Sequence, residues 1–523
     1  MFNTDFACRI TEPLVGQWGL LPDPMERGRR QAWWRKERVS GEFFPSYDDA
    51  SFWPTTVPGA YQLLHPQLEF YEGLVIYRLR FHAEPAAQGQ RVFLSFAGVA
   101  DRCQVFLNGR WVGAHDGPYT PFSCEITAAL SATGAENRLL VYVDCKRQAD
   151  GVPGEIHDWF HYGGIHGAVE ICRVPSVFVQ EAALETILMP EGQVRLALEV
   201  RLFGAERETH HPVIGRLLDA GGHEITRWTG AATAGRRVRM ESYVSEDKIH
   251  LWSPSDPKLY RLVVEQPENG DHWEDEVGLR EVRTRGREIL LNGEPIFLRG
   301  VCSWIADPQR GLLSASAKTA ETLVGIARVL NANFLRAAHW PQSREFVRAC
   351  NRAGILLWME IPAYWLPDMA EPTQMHRALT CAAEMLTAFR NAPSIILWSV
   401  GNECVYHDVE KPQTNLAYFL RAAEFFHAND PTRLVTYTGG IEGTRTAHVE
   451  KICPVELVDQ LDVIGINTYA GIHDGVKAGV EEIGDLAVCA RQASAFGKPV
   501  ILAENGIDGV KGEPGFDFGE ARQ

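Results

Sequence analysis

Apolar and polar positions change rhythm along this chain. Over residues 1–175 the pattern is one of short runs, alternating or wholly apolar, broken by turn residues. Leu74–Phe81, Arg91–Phe96, Cys103–Leu107 and Arg138–Asp144 read as strands. Asn108-Gly109, between Gln104-Val-Phe-Leu and Trp111-Val, reads as a two-residue hairpin turn, because both residue types accept the positive φ such a turn needs. This spacing predicts a jelly-roll β-sandwich over 1–175. Residues 176–283 continue as β. Val194-Arg-Leu-Ala-Leu-Glu-Val-Arg-Leu202 alternates with period two, and Tyr260-Arg-Leu-Val-Val-Glu265 is a second such strand. A smaller, immunoglobulin-like β-sandwich is expected there.

Over residues 284–523 apolar strands alternate with helical patterns. The strands are Ile296–Val301, Asn333–Ala338, Ile355–Glu360, Ile395–Val400, Leu434–Thr438, Val463–Asn467 and Val500–Glu504. Helix-like stretches between them include Ala320–Leu330, Ser343–Ala353, Ala378–Arg390 and Asn415–Ala428. Strands followed by crossover helices make a parallel sheet, and seven of them point to a (β/α)8 TIM barrel. The 19 residues after Glu504 are rich in glycine and charge and contain no strand pattern. The expectation is a multidomain β and α/β chain whose barrel lacks its eighth strand, leaving two unpaired edges.

Two of these strands end in a glutamate. Ile395-Ile-Leu-Trp-Ser-Val-Gly-Asn leads into Glu403, and Val500-Ile-Leu-Ala leads into Glu504. Catalytic groups of such barrels sit at the C-terminal strand ends. Strands four and seven lie on roughly opposite sides, so the carboxylates are expected to face each other across the mouth. Paired carboxylates flanking a sugar are the equipment for glycosidic bond cleavage, one as acid/base and one as ionised nucleophile.

The chain has 523 residues and a formal net charge of −16, which argues against a nucleic-acid or anionic-membrane partner. Its 14 Trp, 14 Tyr and 24 Phe suit sugar binding as well as a large core. Eleven scattered cysteines with no CxxC pair predict free thiols in a reducing compartment. The first ten residues show no signal peptide, and no apolar run of about 20 residues predicts a membrane span. A cytoplasmic location is expected. His157, His161 and His166 cluster in sequence, but no metal is assigned to them.

Several segments resemble glycoside hydrolase family 2, the β-galactosidase, β-glucuronidase and β-mannosidase family. Trp398-Ser-Val-Gly-Asn-Glu403 is similar to its acid/base segment, and Glu504-Asn-Gly-Ile-Asp508 to its nucleophile segment. Arg336-Ala-Ala-His339-Trp-Pro341 resembles the stretch after strand two. Phe106–Gly113, Tyr119–Phe122 and Asp158-Trp-Phe-His-Tyr-Gly-Gly-Ile165 resemble the family's jelly roll and its exit. The resemblance implies roles. Glu403 is the expected acid/base and Glu504 the expected nucleophile. Asn402 is expected on the sugar 2-hydroxyl, and Arg336 beside the nucleophile. Tyr469 is expected to donate to Glu504, His339 to line the pocket, Asn467 to support the site, and Glu360 to play a supporting acidic role.

The chain also departs from the family pattern. Val301-Cys-Ser-Trp-Ile305 replaces a segment that often contains His-Glu-Asp. Asn505 stands where an aromatic is usual, Gly167 where Arg is common, and Ile472-His473 where glucuronidases tend to have Trp-Tyr. The Trp of the eighth strand and the Asn-x-Lys segment that glucuronidases use for the substrate carboxylate have no counterpart. The reading is a retaining exo-β-glycosidase that needs no cofactor. The Glu504-x-Gly-x-Asp508-x-x-x-Gly512 spacing favours β-glucuronidase, with β-galactosidase, β-mannosidase or an inactive carbohydrate-binding relative as alternatives. A homo-oligomer is expected by analogy with the family.

Overall fold

Alternation at period two becomes two facing antiparallel sheets in the N-terminal unit. The computed structural model describes residues 4–35, 51–204, 209–304, 316–366, 369, 371–404, 415–441, 455–468 and 494–506. Among these, a six-stranded sheet runs in the order Trp53–Thr55, Trp18–Pro22, Leu74–His82, Glu136–Asp144, Arg102–Leu107, Arg110–Asp116. It faces a four-stranded sheet of Thr11–Pro13, Val169–Pro175, Gln90–Phe96 and Phe122–Glu125. Leu79, Phe96, Val105, Val141 and Ile171 fill the space between them. The predicted hairpin forms at Asn108 (φ 50°) and Gly109 (φ 79°).

The second sandwich packs Phe178–Met189, Gln193–Phe203 and Arg237–Ser245 against a sheet of Glu224–Thr233, His210–Leu218, Tyr260–Gln266 and Asp271–Val277. Its core is built on Leu198, Leu217, Trp228, Leu262 and Trp273. The alternation read over 194–202 is the strand Gln193–Phe203, with Val194, Leu196, Leu198, Val200 and Leu202 buried.

Seven parallel strands, labelled in chain order, make the barrel: β1 (Gly300–Ser303), β2 (Phe334–Ala337), β3 (Leu356–Glu360), β4 (Ile395–Asn402), β5 (Leu434–Ile441), β6 (Val463–Thr468) and β7 (Val500–Glu504). The helices are α1 (Ala317–Val329), α2 (Arg344–Ala353), α3 (Pro372–Phe389), α4 (Leu416–Asn429) and α5 (Val455–Gln460). Pleating sends Leu335, Leu357, Met359, Trp398 and Val400 outward to the helices. Arg336, Trp358, Glu360 and Ser399 lie at the alternate positions, and all are buried. Trp358 fills the interior so closely that a Cβ on Gly465 would meet its ring at 2.7 Å.

Two boundaries differ most from the sequence reading. β1 begins at Gly300 rather than Ile296, because Ile296 donates its N–H to Ile289 O and packs with Leu298 against the barrel floor. α3 begins at Pro372, six positions before Ala378, because the Glu371 carboxylate caps Thr373 and Gln374 N–H with proline at the first helical position. β1 and β7 share no ladder, although the Cys302 thiol donates to Ala503 O at 3.2 Å. The described ring is therefore seven-stranded and nearly closed. From residue 507 on, the segment without a strand pattern lies outside the described residues.

A small sheet of Val282–Arg285, Glu288–Leu291 and Glu294–Pro295 covers the N-terminal end of the barrel. Its Val282, Ile289 and Leu291, with Trp252, pack on Phe334, Leu356, Ile396, Leu434 and Val463. The opposite end is left as the mouth.

Candidate active site

Inward-facing polar residues at the C-terminal strand ends converge on one guanidinium. Arg336, on β2, is 2% exposed at its side chain. Its NH2 donates to both oxygens of Glu360, at 3.1 and 3.3 Å, and to Asn402 Oδ1 at 2.7 Å. Its NH1 donates to Glu504 Oε1. Burial works against this cation, but Glu360 and then Glu504 outweigh it and hold the guanidinium above its ordinary range. Glu360, closing β3, also accepts from His339 Nδ1 at 2.6 Å and from Trp358 Nε1 at 3.0 Å. Burial pushes its carboxyl up, yet Arg336 and His339 carry it below the ordinary glutamate value. His339 Nε2 lies 3.5 Å from Glu504 Oε1, so this imidazole links the two acids.

Glu403 follows β4 in the left-handed region, at φ 52°. Its carboxylate accepts from Asn467 Nδ2 at 3.0 Å on Oε1 and from Trp365 Nε1 at 2.8 Å on Oε2. Burial raises its pKa above the ordinary 4.5, and the charge of Glu504 adds to that, while the two donors oppose it. The backbone delivers it by an irregularity. The β4–β5 register shifts between Ser399 and Asn402. Gly401 (φ 155°) passes so near the turn after β3 that a Cβ there would lie 2.9 Å from Ala363 O.

Asn402 and Asn467 link Glu403 to Arg336, and through it to Glu504. Asn402 Oδ1 accepts from Arg336 and, at 3.0 Å, from Asn467 Nδ2. That orientation leaves Asn402 Nδ2 buried and without a protein acceptor among the described residues. Asn467 lies opposite Glu504 in the β6–β7 register.

Glu403, Glu504, Asn402, Arg336, His339, Asn467 and Glu360 are thus brought into one network at the mouth. Tyr469, Ile472, His473, Asp508 and Gly512 lie outside the described residues. Beside the network opens a cleft of about 350 Å³ lined by Glu504, His339, Trp304, Tyr364, Asp158 and Asn505, among others. Four of its neighbours carried no role in the sequence reading. Trp365 and Tyr364 lie in the turn after β3. Asp158 and Trp159 come from the jelly roll, where Trp159 packs on Trp340 and Tyr364. The available signal was the aromatic run Tyr364-Trp365 just past Glu360-Ile-Pro.

The clustered histidines have separate partners. His157 Nδ1 meets Gly154 O, His166 Nε2 meets Pro118 O, and His161 Nε2 pairs with Asp101 Oδ2 at 2.6 Å. His161, Asp101 and Cys145, all in the jelly roll, have ligand-type atoms within 4.8 Å of one another. No helix of the described residues is long and apolar enough to cross a membrane.

Comparison with known proteins agrees with this architecture along nearly the whole chain. Residues 12–175 match the sugar binding domain of glycosyl hydrolases family 2, residues 177–280 a second family 2 domain, and residues 282–517 the family's TIM barrel domain. A β-glucuronidase of Paenibacillus borealis is 26% identical, over 98% of this chain and 85% of its own length. A β-galactosidase of Thermoanaerobacterium thermosulfurigenes is 27% identical, over 78% of this chain and 55% of its own length, so this chain spans about half of that relative. The structure of a Bifidobacterium dentium β-glucuronidase complexed with coumarin-3-O-glucuronide superposes with a TM-score of 0.83 at 24% identity, covering 100% of this chain and 88% of that one. The chain belongs to glycoside hydrolase family 2 and is a glycoside hydrolase.

Proposed function

We propose that the protein is a retaining exo-β-glycosidase acting on β-glucuronides, with Glu504 as nucleophile and Glu403 as acid/base. The observation that carries this reading is the electrical difference between two carboxyl groups of one network. Glu504 lies on the Arg336 guanidinium, which stabilises its negative charge. Glu403 has no cation in hydrogen-bond contact among the described residues, and burial and Glu504 favour its protonated form. That is the division of labour a double displacement requires.

In the first step a Glu504 oxygen attacks the anomeric carbon. The glycosidic C–O bond breaks, and the leaving oxygen takes the proton of Glu403. In the second, Glu403 removes a proton from water, the water oxygen bonds the anomeric carbon, and the Glu504 ester bond breaks. Asn402 is the proposed donor to the sugar 2-hydroxyl, a contact that strengthens in the transition state, and its Nδ2, without an acceptor among the described residues, supports that role. Tyr469 remains the proposed further donor to Glu504. No cofactor enters this chemistry.

The preference for glucuronides is supported by the Paenibacillus β-glucuronidase, aligned over nearly the whole chain. β-Galactosides are the second reading, on the strength of the β-galactosidase relative. The test is hydrolysis of 4-nitrophenyl β-glucuronide, β-galactoside, β-mannoside, β-glucoside and β-galacturonide by wild type, Glu504→Gln and Glu403→Gln. Fastest turnover of the glucuronide, abolished in Glu504→Gln, is expected. Faster turnover of another sugar overturns the substrate, and no turnover by the folded wild type overturns the enzyme reading.

A further inference from the structure

We propose that Trp365 is a positioning residue for Glu403: its indole pins the plane of that carboxyl group and favours the ionised form needed in the second half of the reaction. The inference rests on Glu403 being the acid/base.

A glutamate carboxyl turns easily, because its terminal torsion is broad and two-fold. In this site it is held at both ends. Asn467 Nδ2 donates to Oε1 at 3.0 Å, and Trp365 Nε1 donates to Oε2 at 2.8 Å. An indole N–H can only donate, so it must meet an oxygen lone pair in every protonation state of Glu403. It binds the carboxylate more strongly than the acid, because a hydrogen bond to a charged acceptor is the stronger one.

The aim of the indole is fixed by the backbone. The turn Ile361–Leu366 is zipped to the end of β4. Asn402 N donates to Ala363 O at 2.8 Å, and Trp365 N donates to Asn402 O at 3.2 Å. The Cys404 thiol donates to Ala363 O at 3.0 Å, and Asn415 Nδ2 ties Leu366 O and Cys404 O together, at 3.0 and 2.8 Å. Tyr364 stacks on Trp365 with ring centroids 4.6 Å apart. Trp365 (φ 49°) and Glu403 (φ 52°) both occupy the left-handed region. Non-glycine residues hold that conformation where surrounding contacts enforce it, often at functional sites. The turn therefore delivers one N–H to one oxygen of one acid.

The chemistry separates this role from packing. Removing the donor from Glu403 disfavours its ionised form, so the basic limb of the kcat/KM profile moves to higher pH. Loss of one hydrogen bond to a charged acceptor corresponds to about one pH unit. Misaimed proton delivery harms only substrates whose leaving group needs the proton. The experiment compares wild type and Trp365→Phe on the phenyl and 2,4-dinitrophenyl β-glycosides of the sugar that is turned over, across pH.

The expected result is an upward shift of the basic limb of about one unit. With it goes a loss of about tenfold or more on the phenyl glycoside, and of less than about threefold on the dinitrophenyl one. An unshifted limb, or equal losses on both substrates in a folded variant, overturns the proposal. Glu403→Gln runs beside it. Retained dinitrophenyl turnover that azide accelerates supports the acid/base assignment, and its absence overturns that assignment whatever Trp365→Phe does. Should Trp365→Phe fail to fold, wild type labelled with indole ¹⁵N answers the question. The Nε1–H resonance displaced by Glu403→Gln is expected to titrate together with the basic limb, and a flat resonance overturns the proposal.

Discussion

Replacing Glu360 by glutamine removes one charge from the centre of the network while keeping the side chain's shape. In the wild type its two oxygens receive four hydrogen-bond contacts, two from Arg336 NH2 at 3.1 and 3.3 Å, one from His339 at 2.6 Å and one from Trp358 at 3.0 Å. Glutamine offers one oxygen and turns an NH2 toward donors. Breaking a fully buried ion pair by removing one partner costs about 3–5 kcal/mol. For a barrel-sized unit, 1 kcal/mol moves the melting midpoint by roughly 2–4 °C. Glu360→Gln is therefore expected to lower the barrel transition by about 10 °C near neutral pH, within a range of about 6–20 °C.

The pH dependence has a definite sign. The carboxyl of Glu360 lies below its ordinary value of 4.5 in the folded protein. Its contribution is thus present above the unfolded value and lost as pH falls through the folded one. The gap between wild type and variant should narrow on acidification. Calorimetry of wild type, Glu360→Gln, Arg336→Met and the double variant measures both quantities. Arg336→Met strands Glu360 and Glu504 together, so the double variant is expected to lose much less than the sum. A gap under about 2 °C, a gap indifferent to pH, or additive losses would refute the reasoning.

Two further outcomes can be measured directly. As the proposed acid of the first step, Glu403 makes kcat/KM fall as pH rises through its pKa, which burial and Glu504 lift above 4.5. A pH profile whose basic limb lies at or below 4.5 would contradict the assignment. Gly401→Ala puts a Cβ 2.9 Å from Ala363 O and disturbs the hydrogen bond from Asn402 N to that same oxygen. A cost of about 1–3 kcal/mol with a loss of activity of about tenfold or more is expected, and a variant with wild-type melting and kcat would count against the close approach.

The layered part of the fold is legible because its signals are local. The alternation of 194–202 is a strand whose Val194, Leu196, Leu198, Val200 and Leu202 face one core, and Asn108-Gly109 turns the hairpin its residue types predict. Strands β2–β6 are readable because both their faces are buried, whereas β1 and β7 at the open edges are partly exposed. Boundaries failed where a single contact decides them, as with the Glu371 cap that starts α3 early and the floor contacts that start β1 late.

The site divides in the same way. Arg336, Glu360, Glu403 and Glu504 each close or interrupt an apolar strand, so each can be read off one segment. Trp365, Asp158 and Trp159 cannot. Their relevance arises from a backbone turn and from the docking of a separate domain, and neither leaves a periodic trace. The free Nδ2 of Asn402 is likewise a property of its neighbours, since Arg336 and Asn467 together choose which way its amide faces.

The jelly roll gives Asp158 to the wall of the cleft and seats Trp159 against the barrel's Trp340 and Tyr364. One face of the cleft is therefore inherited with a different module from the one that carries the acids. Exchange of residues 12–175 between related genes would re-cut the cleft while leaving Glu403, Glu504 and Arg336 untouched. Selection on what the enzyme accepts can then act through a domain that performs none of the bond breaking. The two modules must also co-evolve along the Trp159 seam, since a jelly roll that folds well by itself but docks a degree askew would deform the cleft it helps to enclose.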